Sequence, residues 1–324
     1  MSRTFLRRRL AVGAVLVTVL VVLVLLVQGG SSSGRTGVVG SAATRDTGST
    51  AAGAPTTTTL PAVRGVSVTR TALPLVDATR PVTHDGVVLS TSRHLSTQVW
   101  TPTGSGPFPL VVFAAGYDKG PLDYDRFCTV LASSGYVVAA PSFPLEDPAQ
   151  GHTLDRADIP GEATDVAFVI TQLEQRSATL HLLPSRIGVV GHSDGADVAL
   201  LVAYGTTTRD ARVTSVVADA PDPMAGPTPP SSVPLLLVQG TNDSVVPYSA
   251  SGTVFGQVDA PVTYLTLVGA DHFPPIAGGT PWTPVLDGAV ADFFDVTLAG
   301  RGPGPASLVA QLSSSPLAKV EAKG

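Results

Sequence analysis

Short runs of aliphatic and β-branched residues recur along the chain after Gly65, each bounded by glycine, proline or polar residues. Most of these runs are continuously apolar rather than alternating, which is typical of strands that a parallel sheet buries on both faces. We therefore predict buried strands over residues 109–113, 136–139, 186–190, 213–217, 233–238 and 262–268. Two earlier segments, 66–75 and 87–100, are expected to enter the same sheet as antiparallel edge strands.

Segments with apolar positions at helical spacing lie between these strands. The predicted helices span residues 124–133, 161–175, 194–203, 248–255 and 284–298. Alternating strands and helices predict an α/β fold: a doubly wound, mostly parallel sheet with helices on both faces, in one domain over residues 65–300. The interval between the strands at 213–217 and 233–238 is too short for a large cap domain. In such sheets ligands bind at the carboxyl ends of the strands.

The N-terminus has a different pattern. An arginine-rich start precedes the apolar run 10–27, which as a helix would reach about 27 Å, close to the hydrocarbon thickness of a bilayer. We predict a transmembrane signal anchor within residues 1–28, with the folded domain on the extracytoplasmic side. A cleaved signal peptide, and hence secretion, is the alternative.

Two further segments lie outside the predicted domain. Residues 29–64 are rich in Gly, Ser, Thr, Ala and Pro and are expected to form a flexible linker, because they bury little apolar area. In the tail, 301–324, residues 306–312 are compatible with one or two helical turns or with none.

Charge and cysteine content exclude several classes of function. The net charge of −5 comes without a clustered basic face, so nucleic acid is not expected as a partner. The single cysteine, Cys128, rules out an intramolecular disulfide and is expected to be a buried, unreactive thiol. No group of Cys, His and Asp has the spacing of metal ligands, so neither a metal nor another cofactor is predicted.

The strongest chemical motif is the pentapeptide 191–195, Gly-His-Ser-Asp-Gly, which matches the pattern G-x-S-x-G. It follows a predicted strand and begins a predicted helix, the context of a nucleophile elbow. Only small residues fit at Gly191 and Gly195 in such a turn, and the hydroxyl of Ser193 would stand at a helix N-terminus. A glycine-rich turn that contains a serine by chance is the alternative interpretation.

A serine nucleophile needs a base and an acid that orients the base. In this fold both follow the serine along the chain. His272 is the only histidine after Ser193, and it follows the strand at 262–268. For the acid, Asp243 follows the strand at 233–238; Asp219, one strand earlier, is the rival, and Asp271 is too close to His272 to orient its ring easily.

Acyl transfer also needs donors for an oxyanion. One is expected to be the backbone N–H of Asp194, directly after the nucleophile. The other is expected on the loop 114–117, where we choose the backbone N–H of Tyr117 because Gly116 allows a close approach. A simple tight turn is the alternative interpretation of this loop.

With these residues the chain resembles the α/β-hydrolase superfamily, and within it the bacterial serine esterases related to dienelactone hydrolase, chlorophyllase and platelet-activating-factor acetylhydrolase. The resemblance covers about residues 66–298 and rests on the segments 76–81, 134–141, 191–195, 240–243 and 269–272. It implies triad roles for Ser193, Asp243 and His272. Ala115 stands before Gly116 where such proteins often have His-Gly, and dienelactone hydrolase uses a cysteine, so its substrate is not transferred.

These residues predict a carboxylic ester hydrolase that forms an acyl-enzyme and acts on a small-molecule or lipid-like ester without a cofactor. The same triad would serve an acyltransferase or a peptidase, because alcohol and water acceptors need the same groups. A non-catalytic, membrane-tethered binding protein on a hydrolase scaffold is the alternative from another class.

Overall fold

The apolar runs of the sequence form the centre of a large twisted sheet. The structure is a computed structural model and describes residues 57–60, 65–302 and 304–324. Within these residues ten strands make one sheet and two make a separate hairpin. The sheet strands are β1 (Thr57–Leu60), β2 (Val68–Asp77), β5 (Arg93–Pro102), β6 (Phe108–Ala114), β7 (Val137–Pro141), β8 (Leu182–His192), β9 (Val213–Asp219), β10 (Leu235–Gly240), β11 (Val262–Leu267) and β12 (Ala318–Lys323); the hairpin strands are β3 (Val82–His84) and β4 (Val87–Ser90).

The spatial order of the sheet is β1-β2-β5-β7-β6-β8-β9-β10-β11-β12. Six neighbouring strands, β7, β6, β8, β9, β10 and β11, are parallel to one another. At the two edges β1, β2, β5 and β12 pair antiparallel. The predicted fold class, a mostly parallel doubly wound sheet, is confirmed. The described residues between β9 and β10 form no helix or strand, in keeping with the absence of a large cap.

Successive residues of the central strands point to opposite faces and feed two separate cores. In β6, for example, Val112 belongs to one core and Val111 to the other. Helices α1 (Asp125–Ser133), α7 (Thr283–Thr297) and α8 (Pro305–Leu312) cover one face. Helices α2 (Ile159–Glu174), α4 (Asp194–Tyr204) and α5 (Tyr248–Gln257) cover the other, and α3 (Ser177–Leu180) and α6 (Pro274–Ala277) are single turns.

Three segments differ from the sequence-based expectation. Strand β1 lies within the predicted linker and pairs with β2. The predicted edge strand 87–100 is two strands, because a turn at Ser90–Ser92 separates β4 of the hairpin from β5 of the sheet. The tail contributes α8 and β12, and β12 closes the sheet beside β11. The domain boundaries themselves stay a prediction.

The prediction of a membrane anchor requires a correction. Across the described part of the chain, no helix has the length and apolar character that a bilayer crossing demands. A span needs about 20 residues of continuous helix, since unpaired backbone groups are costly in lipid, and the longest described helix, α2, has 16 residues. The predicted anchor at 10–27 lies outside the described residues. We therefore correct the predictions of a signal anchor, a membrane partner and a single-pass extracytoplasmic location, all of which this finding contradicts.

Candidate active site

A sharp turn joins β8 to α4 at the carboxyl edge of the sheet. β8 ends at His192, α4 begins at Asp194, and Ser193 between them has φ 58° and ψ −124°. The turn leaves no room for side chains at its glycines. A Cβ on Gly191 would lie 1.9 Å from the carbonyl oxygen of Gly195, and one on Gly195 would lie 2.1 Å from the carbonyl oxygen of Ala114. Both predicted elbow glycines are therefore required by the packing of this turn.

The neighbouring strand holds the turn in place. The backbone N–H of Ser193 donates to the carbonyl oxygen of Asp219, the last residue of β9, at 2.9 Å. The carbonyl of Ser193 in turn accepts from the backbone N–H of Ala196 at 2.8 Å, which starts α4. The side chain of Ser193 stays at the surface of the core with 8% of its area exposed. The hydroxyl is thus presented at the end of β8 by a fixed backbone.

Asp243 and His272, which follow the strands two and three places from β8 in the sheet, form a hydrogen-bonded pair. Nδ1 of His272 lies 2.7 Å from Oδ2 of Asp243, and only 1% of the Asp243 side chain is exposed. Oδ1 of Asp243 accepts from the backbone N–H groups of Val245 and Val246 at 2.8 and 2.7 Å, and Oδ2 also accepts from Nε2 of Gln239 at 2.8 Å. These donors fix the plane of the Asp243 carboxylate.

The other two aspartates considered as the acid are placed differently. Burial, and then the charge of Asp243, raises the pKa of Asp219 well above its usual range and so favours the neutral form of its carboxyl. Oδ1 of Asp271 accepts from the backbone N–H of His272 and from Ser244, at 2.8 to 2.9 Å, and so holds the loop rather than the ring. The contact to the His272 ring is made by Asp243.

The loops that carry these groups pack directly on one another. A Cβ on Gly240 would lie 2.4 Å from the carbonyl oxygen of Ala270, and the backbone N–H of Asn242 donates to that same oxygen at 3.0 Å. In the described part of the chain no hydrogen bond joins the Ser193 hydroxyl to the imidazole of His272. The ring of His192, the residue before Ser193, packs against the His272 ring with centroids 4.6 Å apart.

The predicted oxyanion loop lies against the elbow. A Cβ on Gly116 would be 3.0 Å from Cβ of Ser193, so glycine allows the loop to approach the nucleophile. The backbone N–H of Tyr117 has no hydrogen-bond partner among the described residues, and its ring is 41% exposed. The second predicted donor, the backbone N–H of Asp194, begins α4 directly after Ser193.

Two buried side chains under this loop were not predicted as site residues. Oη of Tyr124 lies 3.2 Å from the backbone nitrogen of Gly116 and 3.1 Å from Nδ1 of His192. Nε2 of His192 lies 3.2 Å from the carbonyl oxygen of His272. Burial, followed by the charges of His272 and Lys119, lowers the pKa of His192 well below its usual value. In the sequence Tyr124 has only the signature of a helix-start residue, and nothing indicates its partners.

An arginine binds the acidic side chains behind the elbow. Asp194, Asp197 and Asp222 each bring a carboxylate oxygen within 4.8 Å of the others, which is metal-ligand spacing. Arg156 contacts all three, at 2.5, 3.4 and 2.9 Å, so its guanidinium supplies the positive charge that a metal would bring. Sequence reasoning missed Arg156, because the acids that it joins are up to 66 residues away.

Two carboxylic acids lie beside this cluster in the interior. Glu146 and Glu162 are both fully buried, and no N–H or O–H group of the described residues donates to their oxygens. Burial, and then the charge of Asp194, raises the pKa of Glu146 to about 9. Burial and the charge of Glu146 likewise raise the pKa of Glu162 well above its usual range. The carboxyl of Glu146 is therefore neutral near pH 7, and burial favours the neutral form of Glu162 as well.

Comparisons with known proteins agree with the fold and the family. The chain is similar to chlorophyllase-1, chloroplastic, of Citrus sinensis, with 27% identity over 177 residues that cover 53% of this chain and 50% of that protein. It is also similar to chlorophyllase type 0 of Chenopodium album, with 28% identity over 131 residues that cover 39% of this chain and 37% of that protein. The chain thus spans about half the length, or less, of these curated relatives.

A solved structure, the ferulic acid esterase from Streptomyces cinnamoneus, superposes with a TM-score of 0.66 at 22% identity, covering 81% of this chain and 98% of that one. At this identity the likeness shows the shared fold. The family description "Chlorophyllase" matches residues 79–263, more than half of the chain. Together these matches confirm the predicted resemblance to serine esterases of the α/β-hydrolase type. The chain belongs to the chlorophyllase family.

Proposed function

We propose that the protein hydrolyses carboxylic esters by a two-step acyl transfer, with Ser193 as nucleophile, His272 as base and Asp243 as the acid that orients the base. The observation that carries the proposal is the 2.7 Å contact between Nδ1 of His272 and Oδ2 of Asp243, on loops packed beside the elbow of Ser193. Membership of the chlorophyllase family and a structural neighbour named as an esterase support the same class of reaction.

The proton arrangement follows from the partners of the imidazole. An ionised carboxylate only accepts hydrogen bonds, so Nδ1–H of His272 donates to Asp243 and Nε2 keeps a lone pair. In the proposed mechanism that lone pair accepts the proton of the Ser193 hydroxyl, and such contacts often tighten only when substrate binds. The base is thereby held in the one tautomer that accepts a proton from serine.

In the first step the Ser193 oxygen bonds to the ester carbonyl carbon and its proton passes to Nε2 of His272. The oxyanion is stabilised by the backbone N–H groups of Tyr117 and Asp194. The carbon–oxygen bond of the alcohol then breaks, and the alcohol leaves with the proton from His272. In the second step water gives a proton to His272 and bonds to the acyl carbon. The bond between that carbon and the Ser193 oxygen then breaks, the acid is released, and His272 returns the proton to the serine oxygen.

Replacing the nucleophile tests the proposal directly. We expect Ser193→Ala to lower kcat/KM for short p-nitrophenyl esters by at least about 10³-fold, because the remaining groups cannot form the acyl-enzyme. A fluorophosphonate probe should label the original protein and not this variant. Ser96→Ala, at an exposed serine of β5, is the control and should keep both signals. Undiminished turnover by Ser193→Ala would refute the assignment.

Replacing each of the two aspartates identifies the acid. We expect Asp243→Asn to lower kcat by about 10³- to 10⁴-fold, because the amide cannot hold the required tautomer of His272. Asp219→Asn should cost less than tenfold, since an amide resembles the neutral carboxyl that burial already favours there. Equal losses in the two variants would contradict the role given to Asp243.

A further inference from the structure

The elbow contains a buried histidine that the acyl-transfer mechanism does not use. His192 directly precedes Ser193, is 2% exposed, and contacts both loops that flank the nucleophile. Its Nδ1 lies 3.1 Å from Oη of Tyr124, which in turn lies 3.2 Å from the backbone nitrogen of Gly116 on the oxyanion loop. Its Nε2 lies 3.2 Å from the carbonyl oxygen of His272. One chain of contacts therefore runs from the oxyanion loop to the loop of the base.

The chemistry of the partners fixes the direction of every hydrogen bond in this chain. A carbonyl only accepts, so Nε2–H of His192 donates to His272. The buried ring is neutral, because burial lowers its pKa, so Nδ1 carries a lone pair and accepts the hydroxyl proton of Tyr124. The oxygen of Tyr124 then accepts the N–H of Gly116. The Tyr124 oxygen donates once and accepts once, and for a neutral His192 no other arrangement of protons satisfies all three contacts.

Packing shields this series of hydrogen bonds from water. Tyr124 is 1% exposed and its ring meets Phe273, the neighbour of His272, edge-on with centroids 5.6 Å apart. The ring of Phe113 also packs against Tyr124, with centroids 4.6 Å apart. Hydrogen bonds in such an apolar setting are stronger than at a surface, and an unpaired group there is costly. Displacing one end of this series of hydrogen bonds therefore costs free energy at the other end.

We propose that His192 and Tyr124 are positioning residues that hold the oxyanion loop and the His272 loop in one mutual arrangement around Ser193. The proposal rests on the function proposed above. Neither side chain exchanges a proton with substrate. They act through the backbone of Gly116, next to the donor Tyr117, and through the backbone of His272. Their loss should therefore slow the chemical step rather than weaken substrate binding.

Tyr124→Phe removes only the hydroxyl and keeps the packed ring. We expect kcat for short p-nitrophenyl esters, per fluorophosphonate-labelled site, to fall about tenfold, the value of one lost hydrogen bond in the transition state, with KM changed less than about twofold. His192→Leu breaks both contacts and should lower kcat at least as much. His192→Gln, whose amide can donate to His272, should recover part of that loss.

The matched control is Tyr204→Phe. Tyr204 is a buried tyrosine at the far end of α4 whose hydroxyl donates to the carbonyl of Val233 at 2.9 Å. The Tyr204→Phe variant should lose about as much stability as Tyr124→Phe but keep its kcat. Because His192 and Tyr124 act in one chain, the double variant Tyr124→Phe/His192→Leu should be no slower than His192→Leu alone.

The outcomes separate this proposal from the proposed function. If the original protein neither labels with the fluorophosphonate nor turns over esters, the proposed function fails. If the original protein is active but the two substitutions multiply independently, or raise KM with kcat unchanged, the positioning role is overturned and the esterase assignment stands. If Tyr124→Phe does not fold, the comparison of His192→Leu with His192→Gln decides, and equal kcat values in those two variants overturn the proposal.

Discussion

The backbone at the nucleophile stores strain that a pair of substitutions can measure. Ser193 has φ 58° and ψ −124°, a region open to glycine and sparsely occupied by residues with a Cβ. Such a conformation costs about 1–3 kcal/mol when a side chain is present. Ser193→Ala keeps the Cβ and loses only the hydroxyl, whereas Ser193→Gly also removes the Cβ. The difference between the two variants therefore isolates the strain from the lost hydroxyl.

The expected difference is the relieved strain minus the entropy that glycine adds to the unfolded chain. That entropy is worth about 0.5–1 kcal/mol. We therefore expect Ser193→Gly to be more stable than Ser193→Ala by up to about 2.5 kcal/mol, which corresponds to a rise of up to about 5 °C in Tm. Both variants lack the nucleophile and should be inactive, so the comparison between them concerns stability alone.

Thermal and urea unfolding followed by circular dichroism measure the difference. A matched pair at Ser249, an exposed residue of α5 with helical backbone, controls for composition. There Ser249→Gly should be less stable than Ser249→Ala by about 1 kcal/mol, the opposite sign. If Ser193→Gly is also the less stable member of its pair, the backbone of the elbow is not strained, and the reasoning fails.

Two further predictions concern the packing behind the site. Burial raises the pKa of Glu146 from 4.5 to about 9. Between these values the folded state holds a proton that the unfolded state releases. The free energy of unfolding should therefore fall between pH 5 and pH 9, by up to about 1.4 kcal/mol per pH unit for one group. Glu146→Gln should flatten this fall in urea titrations, and an unchanged slope would contradict the neutral carboxyl. Gly195→Ala should leave little folded protein in the soluble fraction, because its Cβ would lie 2.1 Å from the carbonyl oxygen of Ala114. The control is Gly252→Ala in α5, where the space around the glycine is open, and its free energy of unfolding should rise by about 1 kcal/mol.

Sequence patterns predicted the centre of the sheet well because its strands are buried on both faces. In a globular protein, short continuous apolar runs such as Leu235–Gly240 are typical of strands that are buried on both faces of a sheet. The glycines around Ser193 carry a signal for the same reason, because the turn admits no other residue. Local physical constraints of this kind leave marks that one sequence is enough to detect.

The edges of the sheet left no such marks. Strand β12 has the sequence Ala-Lys-Val-Glu-Ala-Lys, which has little intrinsic preference for a strand. It is a strand because Val262–Leu267 pairs with it, a contact that only the folded chain creates. Strand β1 depends on β2 in the same way. Edge strands are thus properties of their partners, and their own residues predict them poorly.

The buried carboxylic acids were missed for a related reason. Glu162 lies in a helix that was predicted correctly, but a glutamate on a helix is expected to face water, and this one is fully buried. Its environment is made by Glu146 and by the acids around Arg156, which come from other parts of the chain. A pattern along one helix cannot report such a neighbour.

The geometry of the nucleophile itself is a tertiary property. Ser193 and Ala220 end adjacent strands, and both have φ 58° although neither is glycine. In each case the backbone N–H donates to the next strand at 2.9 Å, from Ser193 to Asp219 and from Ala220 to Val238. Strain of about 1–3 kcal/mol persists only where the surroundings over-determine the conformation. The motif therefore locates the serine, while β9, which contributes nothing to the motif, holds the backbone that presents its hydroxyl.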